Sequence, residues 1–219
     1  HRDLHSFPTR RSSDLAIQDR LRKDTAGAIK AVCVVHNETS TGCVTQIPEI
    51  RAAIDAAGHD ALLMVDTISS LASIDYRHDE WGVDVTVSGS QKGLMLPPGL
   101  SFNAISGKAA AAAKTAKLAK SYWSWAEMKG PNEAGYFPYT PATNMLYGLV
   151  EAIAMLEEEG LGNVFARHRR HGAAARAAVE AWGLEVQCAE PRHHSGSLTA
   201  VRMPDGASAD HFRKVTLEA

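Results

Sequence analysis

Residues 87–100 read VSGSQKGLMLPPGL, which sets Lys92 between a β-branched run and a Pro-Pro-Gly turn, with serine, glutamine and glycine around it. A surface lysine would not need such surroundings, so a lysine held where a strand ends is a candidate for chemistry. Two other apolar runs end in similarly polar text, HNETSTG at 36–42 and DTISS at 66–70. Together the three strand ends supply a carboxylate at Asp66, hydroxyls that include Ser40 and Ser70, the carboxamide of Gln91 and the amine of Lys92. Ligands of open α/β sheets bind beyond the carboxyl ends of the strands, so these stretches are the candidate site. The residue types leave alternatives open. Asp66 and Lys92 could form a buried ion pair, or Lys92 could bind a phosphate. His36 could contact a substrate or be a satisfied strand-end histidine.

The elements that must position these groups follow from apolar periodicity. IKAVCVVHNE from Ile29 is a β-rich run that predicts a buried strand of a parallel sheet, with Cys33 as a small core residue. In TSTGCVTQIPEIRAAIDAAGHD, Thr45 is a candidate cap and Pro48 suits a first turn. Ile50, Ala53, Ile54 and Ala57 repeat at helical spacing, and Gly58 stops the helix. ALLMVDT and VDVTVSGS then predict two more strands, and strand, helix, strand implies a crossover in an α/β sheet. LSFNAIS reads as a further strand and GKAAAAAKTAKLAKS as a helix. GPNEAGYFPYTPAT at 130–143 reads as an ordered loop. A long helix follows, with Leu146, Leu149, Val150, Ile153 and Leu156 on one stripe and Gly160 at its end, reading as a bridge between two domains. Beyond it the pattern gives a helix over 162–181, short strands at LEVQC and SLTAVRM, and a last amphipathic helix.

Composition adds exclusions. With 219 residues, 45% apolar and 22% charged, the chain is that of an ordinary globular protein. A formal net charge of -2 gives no general pull toward nucleic acid or anionic membrane, and no apolar run reaches the roughly 18 residues of a spanning helix. A cytoplasmic protein without nucleic-acid or membrane partners is the expectation. Cys33, Cys43 and Cys188 lack the spacing of a zinc site and read as reduced thiols. The basic run ARHRRHG at 166–172 reads as a solvated helix face, and His193 and His194 lack a third metal ligand, so no metal is expected.

Residues 1–15, HRDLHSFPTRRSSDL, carry no apolar periodicity. Asp3 and Asp14 fit a transit peptide poorly, and SFPTRRSSDL resembles one translated frame of a common sequencing adapter. A non-native leader over 1–15 and a C-terminal helix that stops abruptly together suggest a piece of a longer protein.

The texts HNETSTG, LLMVDTISSLAS and VSGSQKGLMLPPGL, in this order, resemble the class V aminotransferases, which are pyridoxal-phosphate enzymes. They are most similar to the serine-glyoxylate and alanine-glyoxylate branch, which FPYTPATNMLYGL at 137–149 also resembles. The resemblance covers about 16–219. It implies a pyridoxal-phosphate-dependent transferase of fold type I, the aspartate aminotransferase-like α/β architecture with a mainly parallel sheet. Residues 16–159 would be part of the large domain, and residues 160–219 the start of a small α+β domain. The implied cofactor is pyridoxal 5'-phosphate. The implied reaction moves an amino group from serine or alanine to glyoxylate, in a homodimer.

Carried over residue by residue, the resemblance makes Lys92 the catalytic, cofactor-linked lysine and Asp66 the carboxylate facing the pyridine nitrogen. Ser40 would be a hydroxyl near the cofactor's 3′-oxygen. Gln91 and Ser70 would lie at its phosphate or ring, and Thr140 would reach the phosphate of the partner subunit. A tyrosine companion is ambiguous between Tyr136 and Tyr139, because the family's spacing lands on Phe137. The family's Gly-rich phosphate loop and carboxylate-binding arginine match nothing in the chain, so the chain alone is expected to bind the cofactor weakly. Two other readings remain: a different fold type I reaction such as desulfuration or a lyase, and a non-catalytic phosphate-binding α/β module. The first lacks a cysteine in a suitable loop, and the second lacks a G-x-G-x-x-G turn.

Overall fold

The computed structural model describes residues 13–218, so most of the suggested leader lies outside the described residues. Its last three residues already belong to a helix, α1 (Ser13–Arg22). Strand β1 (Ala31–Val35) runs into a small hairpin of β2 (Asn37–Glu38) and β3 (Cys43–Val44). Helix α2 (Ile47–Ala56) then returns the chain to β4 (Leu62–Asp66), and a winding segment leads to β5 (Val85–Gly89). β6 (Ser101–Ile105) completes a four-stranded sheet of order β1-β4-β5-β6. β1, β4 and β5 are mutually parallel, while β6 runs antiparallel to β5.

The α2 stripe behaves as its spacing predicts. Ile47, Ile50 and Ile54 join Leu21 of α1 and Leu63 and Val65 of β4 in one buried cluster. Pro48 sits in the first turn and Gly58 takes φ +61 just past the end, a left-handed conformation that glycine adopts at no steric cost. Thr45 is not the cap. Gln46 holds that position without a side-chain hydrogen bond, and Thr45 Oγ1 instead donates to Val35 O at 2.9 Å. Cys33 is exposed rather than core, because β1 is an edge strand and, among the described residues, no layer covers its outward face.

After β6 come α3 (Gly107–Thr115), α4 (Trp125–Glu133), α5 (Thr143–Glu159) and α6 (Leu161–Ala181). β7 (Glu185–Val186) pairs with β8 (Val201–Arg202), and α7 (Ala209–Glu218) follows. The loop expected over 130–143 begins later, since α4 continues through Gly130 and Pro131 to Glu133, started by the Ser124 hydroxyl accepting from Glu127 N. On α5 only part of the anticipated stripe is covered. Leu156 is buried and Leu149 partly so, whereas Val150 and Ile153 face outward. A second core joins Leu156 and Val164 of α5 and α6 to Ala72 and Leu94. It fastens these helices beside the segment that carries Lys92. Among the described residues no helix is long and apolar enough to cross a membrane.

Candidate functional site

Parallel pairing puts the carboxyl ends of β1, β4 and β5 on one edge, with β4 in the middle. Asp66, the last residue of β4, therefore lies between the strand that leads to Asn37 and the strand that leads to Lys92. Its Oδ1 accepts from Ile68 N at 2.8 Å, which turns the chain sharply as the strand ends.

The turn bearing Lys92 is held from several sides. Ser90, fully buried, donates through Oγ to Pro97 O at 2.7 Å and accepts from Leu100 N at 3.2 Å, closing the loop at its base. Lys92 O accepts from Met95 N at 2.9 Å. Gly93 presses against the 71–73 turn so closely that a Cβ there would meet Leu71 O at 2.1 Å and Ser73 Oγ at 2.6 Å. Ala72 (φ 62) and Met95 (φ 59) adopt left-handed backbone on either side of this contact, a conformation costing non-glycine residues about 1 kcal/mol or more each. Strain of this kind collects at functional sites, and here it is offset by the Leu94 anchor in the second core.

Lys92 lines a cavity of about 320 Å³, with Asn37 and Thr39 on one wall and Ser197 and Leu198 on another. Arg167 and His168 of α6 close its far side. That volume is at the small end of the range for cofactor and ligand sites. Asn37 is 1% exposed, and its Nδ2 donates to Ser69 O at 2.7 Å and to Ser197 Oγ at 3.2 Å. Those two bonds orient the carboxamide and leave its Oδ1 buried with no partner. An orphaned acceptor costs about 1–3 kcal/mol unless a ligand supplies the donor.

The other candidates lie around the cavity rather than in it. Lys92 is its sole lining residue among the six named from the sequence. The lysine side chain is exposed, at the cavity mouth. Ser40 is exposed, and its N–H and Oγ both donate to Glu38 Oε1 at 2.8 Å, so Thr39 takes the lining position instead. Ser70 is fully buried on the inner side of its turn, its Oγ 2.9 Å from His36 Nδ1, while the adjacent Ser69 faces the cavity. Gln91 folds its carboxamide back over Gly89, and Thr140 is exposed near Tyr136, Phe137 and Tyr139.

His36 belongs to the packing and not to the cavity. It is buried under Tyr76 and Trp81, with ring centroids 5.2 and 5.9 Å away. Burial pulls its pKa down to about 4. The run at 166–172 is only partly a solvated face. Arg167 turns inward and makes a two-point ion pair with Glu159 at 2.7 Å on each arm. Burial first, then the charges of Arg167 and His171, hold His168 below the ordinary histidine value, which favours a neutral imidazole at the cavity. Asn37, Thr39, Ser69 and Arg167 were not candidates on sequence grounds. The asparagine stood in the strand-end text HNETSTG, but a lone Asn at a strand end reads as a turn residue.

The family model described as aminotransferase class-V matches residues 3–216. The serine–glyoxylate aminotransferase of Methylorubrum extorquens is 50% identical over 198 residues, 88% of this chain and 49% of the relative. The L-aspartate–glyoxylate aminotransferase of Paracoccus denitrificans is 44% identical over 201 residues, 92% of this chain and 51% of the relative. Among solved structures, pyridoxamine-pyruvate aminotransferase from Mesorhizobium loti superimposes with a TM-score of 0.82 at 32% identity, covering 92% of this chain and 51% of that one. The chain thus spans about half the length of the curated relatives it matches.

Proposed function

The chain belongs to the aminotransferase class-V family, and on that premise we propose that the protein transfers an amino group from serine, or alanine, to glyoxylate, yielding glycine and hydroxypyruvate or pyruvate. The observation that carries this reading is Lys92 in one cavity with the partnerless Oδ1 of Asn37, one strand away from Asp66. The groups at this sheet edge suit pyridoxal 5'-phosphate: an amine for its aldehyde and an unmet acceptor for a hydroxyl or ammonium group in the cavity, with the Asp66 carboxylate at the neighbouring strand end for its ring nitrogen.

Bound there, the cofactor would supply an aldehyde and an electron-withdrawing ring. Lys92 would hold it and afterwards, as a free amine, take the proton from the substrate Cα and return it to the cofactor-side carbon. Asp66 would keep a proton on the ring nitrogen by its fixed negative charge. Asn37 Oδ1 would accept a hydrogen bond and so orient the ligand, with Thr39 and Ser69 as further hydroxyls on the same wall. Ser40, Gln91 and Thr140 remain proposed cofactor contacts, which need side-chain reorientation in the first two cases and a partner subunit in the third. Ser70 is also a proposed cofactor contact, but its hydroxyl is buried against His36 and would have to turn out of the packing to reach the cavity. Among the described residues no cysteine lines the cavity.

The serine relative at 50% identity against the aspartate relative at 44% favours serine as donor. A homodimer is supported by exposed apolar side chains at Trp123, Tyr136, Tyr147 and Val150 on adjoining segments. Incubation with stoichiometric pyridoxal 5'-phosphate, borohydride trapping, digestion and mass spectrometry should put the label on the peptide containing Lys92. Label that survives Lys92→Ala at the same stoichiometry would sink the assignment.

A further inference from the structure

The β2–β3 hairpin meets the segment that leads into β8 along a seam built around His194. Cys43 stands opposite His194 in an antiparallel bridge, and Ser195 N donates to Gly42 O at 3.0 Å. On its other side His194 Nε2 donates to Cys188 O at 2.9 Å. One histidine therefore ties together the backbones of two cysteines 145 positions apart in sequence. Gly42, at φ +69, lets the hairpin turn come so near the opposite segment that a Cβ would lie 3.1 Å from Ala200 N. The His194 seam thus brings the Cys43 and Cys188 loops together, close enough for Cys43 to act on the Cys188 thiol. Each thiol also faces a carbonyl of its own loop, Cys43 Sγ donating to Thr41 O at 3.8 Å and Cys188 Sγ to Glu190 O at 3.6 Å.

The two sulfurs differ in access. Cys188 is 5% exposed, whereas Cys43 is half-buried. Burial first, and then the neighbouring Cys43, push the Cys188 thiol up to about 12, so Cys188 is not the first sulfur to react. The same hairpin carries Asn37 and Thr39, and the segment after His194 carries Ser197 and Leu198, so the seam joins two walls of the Lys92 cavity.

We propose that Cys43 and Cys188 are a dithiol pair that closes to a disulfide on reaction with a low-molecular-weight disulfide such as oxidised glutathione, cross-linking two walls of the cavity. Cys43, as thiolate, attacks one sulfur of the reagent and releases the first glutathione thiolate, leaving a mixed disulfide. Cys188, giving up its proton, attacks the Cys43 sulfur and displaces the second glutathione. Two protein thiols are oxidised to one S–S bond, the reagent's S–S bond is reduced, and the two thiol protons end on the two released glutathiones. Cys33, exposed on edge strand β1, has no cysteine partner in reach and takes no part.

The full chain, treated with oxidised glutathione, alkylated and digested, tests this directly. Cys43 and Cys188 should both escape alkylation and appear in one cross-linked peptide pair. Replacing Cys188→Ser should leave a persistent glutathione adduct on Cys43, while Cys43→Ser should leave Cys188 with neither a cross-link nor a glutathione adduct, alkylated only after unfolding. Should either variant fail to fold, the cross-link map of the unsubstituted chain decides alone. Cross-links that use Cys33 as often as Cys188, a Cys43 adduct that never resolves in the unsubstituted chain, or alkylation of both Cys43 and Cys188 would overturn the proposal.

Discussion

His36 sits buried beneath two aromatic rings, paired through Nδ1 with Ser70, and its pKa falls to about 4. A histidine whose folded pKa lies below its unfolded value of about 6.5 binds its proton more readily in the unfolded chain. Its contribution to stability is therefore complete above about pH 6.5 and is lost as pH falls toward 4, amounting to about 3 kcal/mol. Urea unfolding across that window should show the loss, and His36→Asn should flatten it while lowering stability at neutral pH. Gly93→Ala would force a methyl into Leu71 O and Ser73 Oγ, for about 2–3 kcal/mol of destabilisation on the scale of overpacking, read from the urea midpoint. At the cavity, Asn37→Ala removes the orphaned acceptor and leaves the Ser69 carbonyl only the longer 3.4 Å bond from Ser197 Oγ. Weaker cofactor binding in an equilibrium titration, by about tenfold for one hydrogen bond of about 1.4 kcal/mol, is the expected outcome. The positions of Lys92 and Asp66 at strand ends were legible in the sequence. The orientation of Asn37 was not, because it depends on Ser69, 32 residues away, and Ser197, 160 residues away.

Among the elements, α3 shows how one hydroxyl links a helix start to the sheet. Ser106 Oγ accepts from Ala109 N at 3.1 Å and donates to the buried Asp84 Oδ1 at 2.8 Å, while Asp84 Oδ2 accepts from Leu63 N at 2.9 Å. Ser106→Ala removes a helix cap worth about 1 kcal/mol and a charge-assisted bond worth about 1.5–3 kcal/mol, so a loss near 2–4 kcal/mol should appear in thermal or urea unfolding. Helices and strands with clear periodicity were readable in the chain, α2 most completely. The misreadings fell where local text and environment part company. Cys33 sits in an apolar strand but at the sheet edge, and Gly130 and Pro131 continue a helix already started by Ser124. Val150 and Ile153 share the apolar stripe of α5 but not its buried side.

At the scale of the whole molecule, that outward face of α5 is the place to test assembly. Val150 is 69% exposed, so Val150→Asp costs the fold little. In the full-length protein the substitution should shift light-scattering mass from dimer to monomer with unchanged far-UV circular dichroism; an unchanged mass would remove this face from the interface. Residue order along the chain was enough to declare an α/β sheet, its three polar strand ends and the family whose motifs they carry, because periodicity and strand-end chemistry are local and survive without coordinates. Which of those polar groups share one cavity was decided only when α5 and α6 packed Leu156 and Val164 onto Leu94, bringing Arg167, His168 and Ser197 to face Lys92. The close fit of Gly93 against Leu71 and the meeting of the Cys43 and Cys188 loops at His194 belong to the same class. Such contacts join residues remote in sequence, and their partners are chosen by the shape of the packed core rather than by any spacing in the chain.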